Sequence, residues 1–301
     1  MSENLAPVVL FVYGRLTETK STIQNLQENF LAKDTELFIF SDGAKKEKDV
    51  LKVKGVRDYI HTVNGFKKVT IIEQDQNKGL AKSIIDGVTQ IITQYEKVIV
   101  LEDDLLTSRN FLNYMNQALD HYKNDNRILS ISGFSYKDCI PRDYPYDSSF
   151  GYRASSWGWG TWREKWTEVD WSVKNYADFR FNLFRRLRFN RGGSDMSHML
   201  SKQMKGKINS WAIRFCYHQF ENDMYDVFPK VSKITNIGFG AEGENCDFKN
   251  FEDEIDTSDK ASFVFPTETK IDPVIVKNFK KHNSLYVRAK RVFTRIIKKD
   301  L

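Results

Sequence analysis

The sequence predicts an α/β fold in which a mostly parallel central sheet is flanked by helices, and three observations predict it. Four short apolar runs, at Val8–Val12, 37–40, 69–72 and 98–101, have the length and bulk of buried strands. Each is followed by a polar break and then by helical periodicity. Strands alternating with helices require crossover connections, which give a parallel sheet covered on both faces and wound with right-handed crossovers.

Taken in chain order, the first run exits at Tyr13-Gly14-Arg15 and the second at Ser41-Asp42-Gly43. The third exits at Gln74-Asp75-Gln76-Asn77-Lys78-Gly79. Residues 80–95 then read as a helix, because Leu80, Ile84, Val88, Ile91 and Ile92 form one apolar stripe. The fourth run ends in Glu102-Asp103-Asp104, and a second helix is expected over 110–122, with Phe111, Met115, Ala118 and Tyr122 on one side. Beyond it the pattern changes. Residues 150–171 are dense in aromatics, 194–204 are helical, 238–269 are polar and irregular, and a helix candidate begins near 283. A soft boundary falls near residue 135, inside one continuous fold.

Composition narrows the function classes. With 41% hydrophobic residues the chain can bury a core, and no segment approaches the roughly 20 apolar residues of a membrane span. Cys139, Cys216 and Cys246 lack metal-ligand or redox-pair spacing and read as reduced thiols. The opening residues carry no basic leader, so no signal peptide is expected and the location is read as cytoplasmic. The net charge of +6 is uneven: residues 277–301 hold nine Lys/Arg and one acid, leaving 37 basic and 39 acidic residues elsewhere. A body without basic excess argues against a nucleic-acid partner.

In an open α/β sheet, ligands bind beyond the carboxyl ends of the strands, so the exits are where chemistry is expected. None carries a Gly-x-Gly-x-x-Gly or phosphate-loop pattern, which counts against dinucleotide oxidoreductases and ordinary phosphate-loop enzymes. Glu102-Asp103-Asp104 stands out because clustered carboxylates at a strand end need a cation or hydrogen bonds. A Mn²⁺ or Mg²⁺ ion held by one or two of them and by substrate phosphates would meet that need and neutralise a diphosphate leaving group. A solvated acidic turn is the competing reading. Asp42 could accept hydrogen bonds from a base or ribose, or be a turn aspartate. Arg15 and Lys78 are candidate phosphate contacts. The string Ser155-Ser156-Trp157-Gly158-Trp159-Gly160-Thr161-Trp162 sets indoles beside glycines, either as sugar platforms or as core packing.

Together these strings resemble a known group. Residues 98–105 followed by Asn110-Phe111-Leu112, the opening Ala6-Pro7-Val8-Val9-Leu10-Phe11-Val12-Tyr13-Gly14-Arg15, and Trp157-Gly158-Trp159 resemble the N-acetylglucosaminyltransferase I-like group of GT-A glycosyltransferases. Asn77-Lys78-Gly79-Leu80-Ala81 is similar to bacterial family 2 glycosyltransferases. Asn209-Ser210-Trp211-Ala212-Ile213-Arg214 and Thr235-Asn236-Ile237-Gly238-Phe239 look like bacterial members of the group. The likeness covers about residues 6–246.

The resemblance implies a GT-A, Rossmann-like fold and transfer of a sugar from a nucleotide-diphosphate donor, a UDP-sugar first, to a glycan or lipid-linked acceptor. It implies inversion and a place in bacterial surface polysaccharide synthesis. Residues 1–135 become the donor half, 136–270 the acceptor half and 271–301 a basic tail. Glu102 would face the donor sugar, Asp103 the ribose, and Asp104 would ligate the metal. Tyr13, Arg15, Asp42 and Lys78 would hold the nucleotide-sugar. Trp157, Trp159, Trp211 and Arg214 fall on the acceptor side. Where relatives often place an acidic base, this chain has Asn209-Ser210, and Glu244-Asn245 stands where a histidine is common. An inverting transfer needs a base at the acceptor hydroxyl. Asp195, at the start of a helical pattern, is the first candidate, competing with a helix-cap role; Glu244 and Asp223 are fallbacks. His198 and His218 read as structural or surface residues. In the tail, Leu285, Ala289, Val292, Phe293, Ile296 and Ile297 form a stripe within a basic helix. Such a helix can lie on an anionic membrane, here the cytoplasmic face of an inner membrane, or dock on the domain. A metal-dependent nucleotidyltransferase or phosphohydrolase, and a non-catalytic sugar-binding protein, are the alternatives.

Overall fold

The computed structural model describes residues 4–238 and 255–282. Its first half runs β1 (Val8–Val12), α1 (Leu16–Gln27), β2 (Glu36–Ser41), α2 (Val50–Ile60), β3 (Lys68–Glu73), α3 (Leu80–Ile92), β4 (Lys97–Glu102), β5 (Leu105–Thr107), α4 (Phe111–Tyr122) and β6 (Ile128–Ser132). The second runs β7 (Ser148–Gly151), β8 (Trp159–Trp162), α5 (Arg163–Thr167), α6 (Tyr176–Phe181), α7 (Leu183–Phe189), α8 (Met196–Met204), α9 (Trp211–Glu221), β9 (Tyr225–Pro229), β10 (Ile234–Asn236) and α10 (Pro273–His282).

Eight strands form one sheet in the order β3-β2-β1-β4-β8-β6-β9-β7. The α/β expectation is borne out. The quartet β3-β2-β1-β4 is parallel throughout, whereas β8 runs antiparallel to β4 and β6, and β7 antiparallel to β9. The sheet passes residue 135 without a break, because β8 inserts between β4 and β6.

Successive side chains of a strand point to opposite faces, and β1 uses both. Val8, Leu10 and Val12 join a core with Ile23 and Leu26 of α1, Val56 and Ile60 of α2, and Met115 and Leu119 of α4. Val9 and Phe11 join the opposite core with Ala81, Ile84, Val88 and Ile91 of α3 and Phe215 of α9. A strand buried on both faces reads as a continuous apolar run, which is why these strands stand out in the sequence. The stripe on α3 packs as expected, except that Leu80, in the first turn, stays 40% exposed.

Residues 255–282 return across the first half. Phe263 and Phe265 pack on Tyr114, and Phe265 also meets Tyr122; Ile275 of α10 lies against Cys139 and Phe228. Cys139 and Cys216 are buried and unpaired. The expected helix and stripe at 283–301, with Glu244 and Cys246, lie outside the described residues.

Candidate active site

The parallel quartet brings four exits to one edge. Phe11 of β1 lies opposite Glu102 of β4, so Arg15, just beyond β1 and heading α1, reaches the acids that follow β4. Its guanidinium pairs with Asp103 and, at 3.0 Å, with Asp104 Oδ2. The Thr22 hydroxyl on α1 donates to the Asp103 carbonyl at 2.9 Å and fixes the helix against the strand end.

One guanidinium faces three carboxylates. Burial and the neighbouring Asp104 and Asp103 charges push Glu102 up to about 8, against a smaller opposing effect of Arg15. Burial likewise pushes Asp103 to about 6, although Arg15 opposes it. On Arg15 burial acts against the charge, yet Asp103 and Asp104 outweigh it and raise the pKa. The upward shifts show that Arg15 alone does not compensate the three acids, a deficit that a cation would fill.

β5 pairs antiparallel with β10, Leu105 opposite Asn236, and this two-stranded ribbon closes over the acids. Asn236 Nδ2 donates to Asp104 Oδ1 at 3.3 Å, Ile237 N to the Asp104 carbonyl at 2.8 Å, and Gly238 N to Asn236 Oδ1 at 2.8 Å. A Cβ on Gly238 would lie 2.0 Å from Asp104 Oδ2 and 2.8 Å from an Arg15 nitrogen, so only glycine lets the backbone come this close.

The donor set fits a hard divalent cation. Its oxygens are carboxylates, the ligand type that Mn²⁺ and Mg²⁺ take, and a single guanidinium serves three of them. Such sites take one or two carboxylates and leave the remaining positions to substrate phosphates.

Asp42, at the β2 exit, has its carboxylate committed. It accepts from Gly43 N (2.9 Å), Lys78 N (2.8 Å), Gly79 N (2.9 Å) and Asn77 Nδ2 (3.0 Å). It thereby shapes the loop that starts α3 and carries Lys78. Lys78 Nζ lies 3.6 Å from Asp86. Tyr13 accepts from Lys45 N (2.9 Å) and donates to Asp49 (3.1 Å).

No protein-family profile matches this chain, and no curated protein does. Its fold is similar to that of many solved structures, three of which illustrate the likeness. GalNAc-T7 with UDP, GalNAc and Mn²⁺ is 14% identical, over 80% of this chain and 45% of that one, at a TM-score of 0.48. The mannosyltransferase PcManGT from Pyrobaculum calidifontis, in complex with GDP-Man and Mn²⁺, is 12% identical over 73% and 70%, at 0.41. S. aureus TarS 1–349 in complex with UDP-GlcNAc is 10% identical over 77% and 58%, at 0.40. This chain thus spans less than half the length of the first.

The acceptor-side expectations divide. Trp157 is partly buried, 4.5 Å from Phe134 edge to face. Trp159 and Trp211 are corrected: at 1% and 4% exposure they stack on each other at 4.8 Å inside the core and offer no face to a sugar. Two indoles bury more surface against each other and Phe215 than a rim site allows. Arg214 donates to the carbonyls of Ser210 and Trp171 at 3.1 and 3.2 Å, and burial lowers its pKa. Asp195 heads α8 without capping it; both its oxygens receive the Arg153 guanidinium, at 2.9 and 3.1 Å. The fallback Asp223 is exposed and paired with Arg188 at 2.9 Å. Sequence reasoning missed Arg153 and the contact of Asn236 with Asp104. Both are long-range pairings, and only the string around Asn236 carried a signal.

Proposed function

We propose that the chain is a metal-dependent glycosyltransferase of GT-A type that takes a nucleotide-diphosphate sugar, a UDP-sugar first, and inverts at the anomeric carbon. The observation that carries this reading is the convergence of Glu102, Asp103 and Asp104 with Arg15 and the Gly238 backbone at the exit of a parallel quartet. Asp104, with Glu102 or Asp103, would hold Mn²⁺ or Mg²⁺, which supplies charge neutralisation for the departing diphosphate. Asp103 receives the ribose, Glu102 faces the sugar, and Arg15 and Lys78 supply positive charge to the phosphates. Asp42 acts through the loop it holds rather than on the nucleotide. For the base we infer Asp195, whose carboxylate Arg153 holds in a fixed orientation. Trp157 and Arg214 line the acceptor side. The acceptor is read as a glycan or lipid-linked saccharide of a bacterial surface polymer, handled at the cytoplasmic face of the membrane.

Thermal shifts with UDP-, GDP-, CMP- and dTDP-sugars, with and without Mn²⁺, test the donor site. A specific donor at a hundredfold excess over its Kd raises stability by about 2.7 kcal/mol. Asp104→Ala is expected to remove the Mn²⁺-dependent part of the shift and to cut sugar transfer by on the order of 100-fold or more. Transfer by the variant at the wild-type rate would sink the metal assignment. Asp195→Asn should lower kcat while donor binding stays unchanged. An unchanged kcat removes Asp195 as base.

A further inference from the structure

Four large apolar side chains stand exposed within seven consecutive residues: Phe181 at 80%, Leu183 at 64%, Phe184 at 80% and Leu187 at 58%. They sit on α6 and α7, which are rooted at either end by buried aromatics. Phe179 packs on Tyr217 at 5.1 Å and Phe189 on Phe220 at 5.3 Å, both rings belonging to α9. The chain turns at Asn182, whose side chain accepts from Arg185 N at 3.0 Å and starts α7. Leu183, Phe184 and Leu187 then share one face of α7 through their i, i+3 and i, i+4 spacing. Isolated exposed hydrophobes are ordinary on a soluble surface; a contiguous group of this size marks a surface that is covered in use.

The surrounding charge indicates by what. Between 174 and 191 the chain carries Lys174, Arg180, Arg185, Arg186, Arg188 and Arg191 against a single acid, Asp178. Glu221 and Asp223 pair with Arg185 and Arg188. Arg180 and Arg186 form no ion pair among the described residues, and Arg180 lies over the Phe181 ring at 4.3 Å. An apolar tip flanked by Arg180 and Arg186, whose guanidinium groups stand on long aliphatic stems, is complementary to an anionic surface with an apolar interior. A second copy of this chain fits poorly, since a two-fold interface would place the same basic ring against itself.

We propose that α6 and α7 form a docking surface for an anionic lipid bilayer. Phe181, Phe184, Leu183 and Leu187 enter the headgroup and acyl boundary, and Arg180 and Arg186 meet lipid phosphates. Its residues are distinct in sequence from the basic ones of 283–301, which lie outside the described residues. On the proposed function, it also sets the acceptor side near the bilayer, because α7 leads through residues 190–194 to Asp195.

The test is co-sedimentation of the full chain with phosphatidylcholine vesicles, with and without phosphatidylglycerol. The wild type is expected to bind the anionic vesicles and to bind neutral ones weakly. Phe181→Ser, Phe184→Ser and Leu187→Ser combined should weaken anionic binding by about tenfold or more. Arg180→Glu with Arg186→Glu should do so through charge alone. Because these side chains are exposed, both variants should keep the wild-type Tm and the wild-type response to soluble nucleotide-sugar, so failure here is distinguishable from failure of the donor site. Wild-type binding by the serine variant would assign membrane contact to another region and overturn the proposal. So would absence of binding by the wild type, or a concentration-dependent dimer that the serine variant abolishes.

Discussion

Asp226 lies on β9 at 1% exposure, and its carboxylate finds the Ser130 hydroxyl at 2.6 Å. Burial pushes its pKa well above the carboxylate range, with Ser130 opposing only in part. A folded pKa above the unfolded one means that stability is fully present below the unfolded value, about 3.9, and declines as pH rises toward the folded value. Asp226→Asn, which has no charge to suppress, should match the wild type near pH 4. It should gain on it by about 1.4 kcal/mol per pH unit above that, until the folded pKa is passed. Urea denaturation of both proteins across pH 4 to 8 reads this out, and parallel curves at all pH values would refute it. Trp159 supplies the contrasting case. Trp159→Ala should cost about 3–5 kcal/mol in the same assay, as loss of a packed core aromatic does. Neither role is written in the local sequence, because burial of Asp226 and Trp159 is decided by strands and helices far away in the chain. The acids at 102–104 were legible because three carboxylates ending an apolar strand demand compensation wherever the strand goes.

The Asp42 loop shows what one acid does for an element. Three of its four acceptor contacts organise residues 77–79, the fourth holds Gly43, and Gly79, at φ +75°, leads into α3. Gly43 is needed beside it, since a Cβ there would lie 2.5 Å from the Gln76 backbone. Asp42→Ala leaves the buried Gly43 N–H and the part-buried Lys78 and Gly79 N–H groups without their acceptor and should cost about 1–3 kcal/mol. Hydrogen exchange should quicken in 76–84 before it does in β1 or β4. If exchange in the loop is unchanged and only donor affinity falls, Asp42 contacts the nucleotide directly. At this scale the first half of the fold was readable, since strands buried on both faces are unbroken apolar runs and α3 carries a full stripe. The second half was not. β10 has three residues, β7 and β8 four each, and β6 meets β9 with a register shift, so none offers a period to detect. α6 and α7 turn much of their apolar surface outward, which defeats a reading that assigns apolar residues to the core.

Across the whole molecule, residues 255–282 act as a strap that ties the β5–β10 ribbon over the acids to the body of the fold. Asp256 pairs with Lys233, just before β10, and accepts from Asn110 at 3.0 Å; Asp125 binds Arg127 and the Thr269 hydroxyl. Burial works to raise both carboxylates. The Lys233 pair on one, and the Arg127 and Thr269 hydrogen bonds on the other, outweigh it and hold each at about 2. Burial lowers the Lys233 pKa despite its partner, but the pH dependence this creates lies just below the usual lysine value and leaves the acid range to the carboxylates. A folded pKa below the unfolded one gives stability that is present above about 3.9 and is lost as pH falls through the folded value. The strap should therefore loosen between about pH 4 and pH 2, ahead of the sheet, whose central strands are held by apolar cores on both faces. Limited pepsin digestion over this range should cut within 255–272 while β1 to β4 stay protected. Asp256→Asn should move the onset to higher pH and weaken donor binding at neutral pH, since β10 carries Asn236 and Gly238 onto Asp104. Cleavage of strap and sheet at the same pH would mean that the molecule unfolds as one unit, and that these two carboxylates do not hold the β5–β10 ribbon over the site.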